Sequence, residues 1–275
     1  MSDERPIGLF DSGVGGLTVL DAVARRLPHE RLLYLGDTAR LPYGTKSKET
    51  VRRYARRAIE FLLDHGVKAV VVACNTASAL ALDAVVEMSP VPVVGVVTPG
   101  AEAAVAAARV REAGGEPRRP IAVLATEATV ASDAYGRAIR ALDPGREVLH
   151  TACPLFVPLA EEGWTENDVA RAAAARYLEP VSASGARVIV LGCTHYPLLA
   201  RTIAGALPAG TTLVDSAHAA ADALETALPA SARRAGSEAG ETRILVTDAS
   251  DRLRRVAGRF LGRPAADLAL IDLPV

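Results

Sequence analysis

The sequence predicts an α/β protein made of two similar, doubly wound parallel-sheet domains that face each other. Three observations lead there. Short runs rich in Val and Ile alternate with amphipathic helical stretches along the chain, the pattern of parallel strands joined by crossover helices. Val70-Val71-Val72-Ala73-Cys74-Asn75-Thr76 and Val188-Ile189-Val190-Leu191-Gly192-Cys193-Thr194 then repeat one plan, a buried strand that ends in a cysteine and hydrogen-bonding residues. Finally, Thr98-Pro99-Gly100 interrupts the rhythm between them and marks a boundary.

The first half opens with a strand at Ile7–Phe10, the turn Asp11-Ser12-Gly13-Val14-Gly15-Gly16 and a helix over Leu17–Leu27. A strand at Arg31–Leu35 leads into the loop Gly36–Gly44. Val51, Tyr54, Ala55, Ala58, Ile59, Leu62 and Leu63 then fall at helical spacing, and Gly66 stops the helix. After the strand to Cys74, Thr76 is the expected N-cap of a helix over Ala77–Glu87, and Val91–Val97 reads as a strand. Beyond the boundary come a helix at Ala101–Glu112, a strand at Ile121–Leu124 and one helix over Glu127–Leu142. Strands at Glu147–Thr151 and Val188–Leu191 flank a helix near Asn167–Ser182. Leu213-Val214-Asp215-Ser216 is a further strand end, and Pro229–Glu241 reads as an exposed loop. Ile244–Val246 and a helix at Arg252–Leu261 close the chain.

Composition narrows the class. At 275 residues the chain can bury one large core or two modest ones, and it is 50% hydrophobic but only 4% aromatic. A net charge of −1 supplies no global basic field for nucleic acid or a membrane surface. Three widely spaced cysteines do not make a disulfide framework. The charged start, Met1–Pro6, leads into no signal-type apolar stretch, and no run approaches the roughly 20 apolar residues of a membrane span. These features describe a soluble protein of a reducing cytoplasm.

The cysteines are the residues to explain. A single buried thiol is ordinarily inert packing, but two at strand ends, followed by Asn75-Thr76 and Thr194-His195, offer little to an apolar core. Metal and redox sites favour close spacings such as C-x-x-C, which are absent, and a cysteine hydrolase leaves the second thiol unused. Two thiols on opposite faces of a planar carbanion fit a two-base racemisation, in which one removes a proton and the other returns one. A thiol beside a helix N-terminus also gains thiolate character. Cys153, in Thr151-Ala152-Cys153-Pro154, lacks such neighbours and reads as structural.

Other candidates have plain alternatives. Asp11 reads either as a helix cap or as a proton partner for one cysteine, and Ser12 can bind a carboxylate. Gly13-Val14-Gly15-Gly16 is not a dinucleotide fingerprint, because Thr18 stands where the third glycine belongs. His195, two residues after Cys193, is placed to exchange its proton. Pro42-Tyr43-Gly44 is either a turn or a source of backbone N–H groups for an anion. Thr126 and Thr129 are either caps or carboxylate ligands. Arg52, Arg53, Arg56 and Arg57 read as a solvated helix face, and none of Lys46, Lys48 and Lys68 suits a pyridoxal Schiff base.

Four motifs now come together in one order: Asp11–Gly16, Gly36-Asp37-Thr38-Ala39-Arg40 with Pro42-Tyr43-Gly44, Ala73-Cys74-Asn75-Thr76, and Leu191-Gly192-Cys193-Thr194-His195-Tyr196-Pro197. The set closely resembles the bacterial glutamate racemases of the aspartate/glutamate racemase superfamily. The resemblance implies interconversion of L- and D-glutamate without cofactor or metal, supplying D-glutamate for peptidoglycan. It implies one domain from residues 1–97 with 213–275, a second from 98–212, and an active-site cleft between them. It also implies that Cys74 acts on the D-enantiomer with Asp11, and Cys193 on the L-enantiomer with His195. Ser12, Pro42, Tyr43, Gly44, Asn75, Thr76, Thr126, Thr129 and Thr194 would hold the substrate, and Glu161 matches an acidic position near the site. The implied partners are the small-molecule substrate and a second copy of the chain, with neither nucleic acid nor membrane. Two rivals stand beside this reading, an aspartate racemase and a non-catalytic binder of acidic amino acids. His195 argues against the first, where an acidic residue typically follows the second Cys-Thr.

Overall fold

Among the residues that the computed structural model describes, 3–265 and 267–274, ten strands form two wholly parallel sheets. In chain order the strands are β1 (Ile7–Asp11), β2 (Leu32–Gly36), β3 (Ala69–Val72), β4 (Val93–Gly95) and β5 (Ile121–Ala125). They continue with β6 (Val148–Ala152), β7 (Val188–Gly192), β8 (Thr212–Asp215), β9 (Thr242–Val246) and β10 (Leu268–Leu270). The helices are α1 (Leu17–Arg26), α2 (Lys48–Asp64), α3 (Asn75–Met88), α4 (Val97–Ala113), α5 (Glu127–Ser132) and α6 (Ala134–Leu142). Then come α7 (Phe156–Glu162), α8 (Asp168–Ala183), α9 (Ala200–Gly205), α10 (Ser216–Ala227) and α11 (Asp251–Leu261). The chain divides into two units, Met1–Val96 with Ala217–Val275, and Val97–Ser216.

In the first unit the strand order is β10-β9-β2-β1-β3-β4. The crossover from β1 leads to β2 on one side, while that from β3 leads to β4 on the other. The C-terminal ends of β1 and β3 therefore flank a topological switch point, where open α/β sheets bind their ligands. Phe10 pairs with Val72, and the Ala73 N–H donates to the Phe10 carbonyl at 2.8 Å, so Ser12 and Cys74 emerge side by side. The second unit repeats the arrangement with the order β6-β5-β7-β8, its switch point lying between β5 and β7. Ala125 pairs with Gly192, which brings Thr126 and Cys193 out together. The two cysteine segments are alike because they fill the same place in two sheets.

Helix α2 shows how the pattern sets an element. Val51, Ala55, Ala58, Ile59 and Leu62 are buried along one face, Ser47 caps the start by accepting the Thr50 N–H, and Gly66 follows in the left-handed conformation at φ 70°.

Several expected boundaries move. The two units divide between Val96 and Val97, beside the expected boundary, but Thr98-Pro99-Gly100 does not break the secondary structure; it lies in the first turns of α4, where a proline removes no intrahelical hydrogen bond. Because α4 starts at Val97, the expected strand over Val91–Val97 shrinks to β4. The helix expected over Glu127–Leu142 is divided at Asp133, whose φ of 51° ends α5 and starts α6. Leu213–Asp215 lie with the middle unit rather than with the C-terminal segment, because β8 pairs with β7 from Val188 to Leu191. Helices α7, α9 and α10 and strand β10 appear where the sequence suggested no element.

Candidate active site

The sequence-derived candidates fall into two groups, one around each cysteine. In the first unit, Cys74 takes the capping role expected of Thr76: α3 starts at Asn75, and the Cys74 sulfur accepts the Ala77 N–H at 3.4 Å. This places the thiol on the positive end of α3, with Asn75 and Thr76 buried in the first turn. The Cys74 thiol donates to the Ser12 hydroxyl at 3.4 Å. Asp11, 1% exposed, ends β1 and accepts the Gly13 N–H at 2.9 Å.

Gly16 leaves room for that carboxylate. A Cβ there would lie 2.5 Å from the Asp11 Cβ, so Gly16→Ala should displace Asp11. The expected stability loss is about 1–3 kcal/mol, with an accompanying drop in activity. Urea denaturation and turnover of the variant check it; unchanged values for both would show that the contact is tolerated.

Tyr43 and Gly44 lie in a short 3-10 turn, Tyr43–Thr45. The Tyr43 hydroxyl donates to Asp37 Oδ2 at 2.6 Å, and burial, followed by the Asp37 charge, pushes it well above the ordinary tyrosine range. The side chain is thus committed to Asp37, and the backbone of the turn is what remains to meet a ligand. Asp37 is a fully buried hub that the sequence reading missed. It also accepts Arg40 Nη1 at 3.2 Å and the Thr247 hydroxyl at 3.1 Å, while its own N–H donates to the Asp11 carbonyl at 3.0 Å. An acid directly after a strand-ending glycine, with arginine three residues on, was the available signal. Pro42 is exposed at the edge of this turn.

In the second unit, Cys193 lies 3.9 Å from His195 Nδ1, and His195 Nε2 lies 3.2 Å from Glu161 Oε1 on α7. The Thr194 hydroxyl is 3.4 Å from the same Nδ1. Burial disfavours the charged ring, but the hydrogen bonds to Cys193 and Glu161 outweigh it and raise His195 to about 10. The imidazolium is therefore the resting form at neutral pH, with one N–H toward the thiol and one toward the carboxylate. Thr126 caps α5, accepting the Thr129 N–H at 3.4 Å, and the two hydroxyls are 3.0 Å apart, so capping and an inward polar face coexist. Cys153 is fully buried in the apolar core, where burial and then Cys193 push its thiol up to about 12. That is the inert thiol its neighbours suggested. Among the described residues no three His, Cys, Asp or Glu side chains are grouped to hold a metal ion, and no helix is long and apolar enough to cross a membrane.

Each unit thus carries a thiol at the equivalent switch point, with the Ser12 hydroxyl beside Cys74 and the His195 ring beside Cys193. The chain belongs to the Asp/Glu/hydantoin racemase family, whose model matches residues 13–224. Over 270 residues it is 47% identical to the glutamate racemase of Geobacter metallireducens, covering 98% of this chain and 97% of that one. Among solved structures, glutamate racemase isoform RacE1 from Bacillus anthracis superposes with a TM-score of 0.91 at 35% identity, covering 99% of each chain. Glutamate racemase from Francisella tularensis, solved in complex with D-glutamate, gives 0.89 at 36% identity over 98% of each.

Proposed function

We propose that this chain is a glutamate racemase that interconverts L- and D-glutamate by two-base proton transfer and supplies D-glutamate for peptidoglycan synthesis. The observation that carries the reading is the pair of strand-end thiols, one beside the Ser12 hydroxyl and the other beside the His195 ring. In the L-to-D direction the Cys193 thiolate removes the α-proton, leaving a planar carbanion stabilised by the substrate carboxylate. The Cys74 thiol then donates its proton to the opposite face. Cys193 ends as thiol and Cys74 as thiolate, so a second L-to-D turnover needs both reset. His195, once it has passed its own proton to solvent, takes the proton from Cys193 and is again the imidazolium, and Asp11 with solvent returns one to Cys74. The D-to-L direction uses the same steps in reverse.

Substrate carboxylates are held by Ser12, Asn75 and Thr76 at the start of α3, by the Pro42-Tyr43-Gly44 turn, and by Thr126, Thr129 and Thr194. Glu161 keeps the His195 ring oriented. The same reading places the chain in the cytoplasm as a homodimer, and a solution mass twice that of the chain checks the assembly.

The test is proton NMR of pure protein with L-glutamate, and separately L-aspartate, in D2O without added cofactor, with chiral analysis of the product. Loss of the Cα–H signal of glutamate with D-glutamate appearing is expected. Exchange of aspartate alone would move the assignment to an aspartate racemase, and no exchange with either would leave only a binding protein.

A further inference from the structure

We propose that Tyr196 is a positioning residue for the reaction, holding the His195 turn and the helix of Glu161 in one register through a hydroxyl bond to the Cys153 carbonyl and an edge-on contact with Phe156. The inference rests on the racemase reading above, because it concerns the proton partner of Cys193.

Tyr196 directly follows His195 and is fully buried, and a buried phenol needs a hydrogen-bond partner. Its hydroxyl donates to the Cys153 carbonyl at 2.9 Å, where the Phe156 N–H also donates at 3.1 Å. Its N–H donates to the Cys193 carbonyl at 3.1 Å, closing the turn that carries His195. The Tyr196 ring meets Phe156 edge-on, with centroids 5.3 Å apart and planes at 87°. On its other side Phe156 meets Tyr177 in the same way, at 5.3 Å and 84°, and the Tyr177 hydroxyl accepts the Leu155 N–H at 3.3 Å.

Two tyrosine hydroxyls thus pin the Cys153–Leu155 segment, and Phe156, wedged between their rings, is the first residue of α7. Glu161 lies five residues further along that helix. Both ends of the His195–Glu161 bond are therefore one aromatic contact apart, and the contact brings no charge of its own. The arrangement also explains the place of Cys153, which serves through its carbonyl while its buried thiol donates only to the Thr151 carbonyl at 3.5 Å.

Tyr196→Phe removes one hydroxyl and nothing else. It should lower kcat about fivefold, the factor that one buried hydrogen bond is worth, with KM within about twofold. Titration of the His195 imidazole by NMR should move down from about 10 toward 6.5 as the Glu161 contact loosens. In a Glu161→Gln background the same substitution should add almost nothing, since its effect runs through that carboxylate. Tyr177→Phe should give a smaller effect of the same kind and decides the matter if Tyr196→Phe does not fold. An unmoved His195 titration, or an equal loss of kcat in both backgrounds, would overturn the proposal. If the wild-type chain fails to turn over glutamate, the racemase reading falls, while the His195 titration still decides whether Tyr196 positions the ring.

Discussion

Cys74→Ala and Cys193→Ala should each lose glutamate racemisation by about 10³-fold or more while still binding the substrate. Neither thiol can stand in for the other, because a planar carbanion must be protonated on the face opposite the one that lost its proton. The two enantiomers have equal free energy, so the equilibrium constant is one and kcat/KM must fall by the same factor in both directions. Alanine costs the fold little: Cys74 is an N-cap through a weak sulfur acceptor, and Cys193 lies at a strand end, 7% exposed. Calorimetric titration with D-glutamate alongside chiral rate assays checks both halves of the expectation. Undiminished racemisation in either variant would falsify the two-thiol mechanism, and lost binding would mean that the thiols hold the substrate.

His195→Asn should lower kcat about 100-fold, the ordinary contribution of one positioned acid–base group, by breaking the proton exchange at Cys193. Asn retains one hydrogen-bond donor but carries no titratable proton. The substitution also changes how stability depends on pH. In the folded chain His195 titrates at about 10, above its ordinary 6.5, so folding favours its protonated form. The stability this contributes is full below pH 6.5, declines as pH rises between the two values, and is gone above about 10. Urea midpoints of the wild type should therefore fall more steeply across that window than those of His195→Asn. Parallel curves would show that Glu161 and Cys193 do not hold the ring charged.

The strand-end places of Cys74 and Cys193 were legible in the sequence because they are local. A β-branched run that stops at Cys-Asn-Thr or Cys-Thr-His announces both the strand and the exposed end of the sheet, and parallel pairing then places the residue at the switch point. Asp11 and Ser12 followed from the same logic, one residue after a buried run. Element edges were harder to read. Pro99 looks like a breaker until α4 is seen to start just before it, and Asp133 breaks a helix only through a left-handed backbone that asparagine-like residues tolerate. Thr76 is a better cap than cysteine by composition, yet the strand hands over to the helix one step earlier.

What stayed hidden is long-range. Asp37 meets Thr247 and Tyr43 only because β9 lies beside β2, and no spacing in the sequence announces that neighbour. The Tyr177–Phe156–Tyr196 stack likewise joins three elements with no shared period. Glu161 became a candidate through a family resemblance rather than through its local surroundings, and its contact with His195 Nε2 provides the physical reason.

The most direct measurement of the central claim is the isotope content of the first product. L-glutamate is racemised in D2O to a few per cent conversion, and the enantiomers are separated and weighed by mass spectrometry. Two bases predict D-glutamate that carries deuterium at Cα from the first turnover, while the remaining L-glutamate keeps its protium. D-glutamate that retains protium would mean that one group carries the same proton across both faces, and would contradict the account.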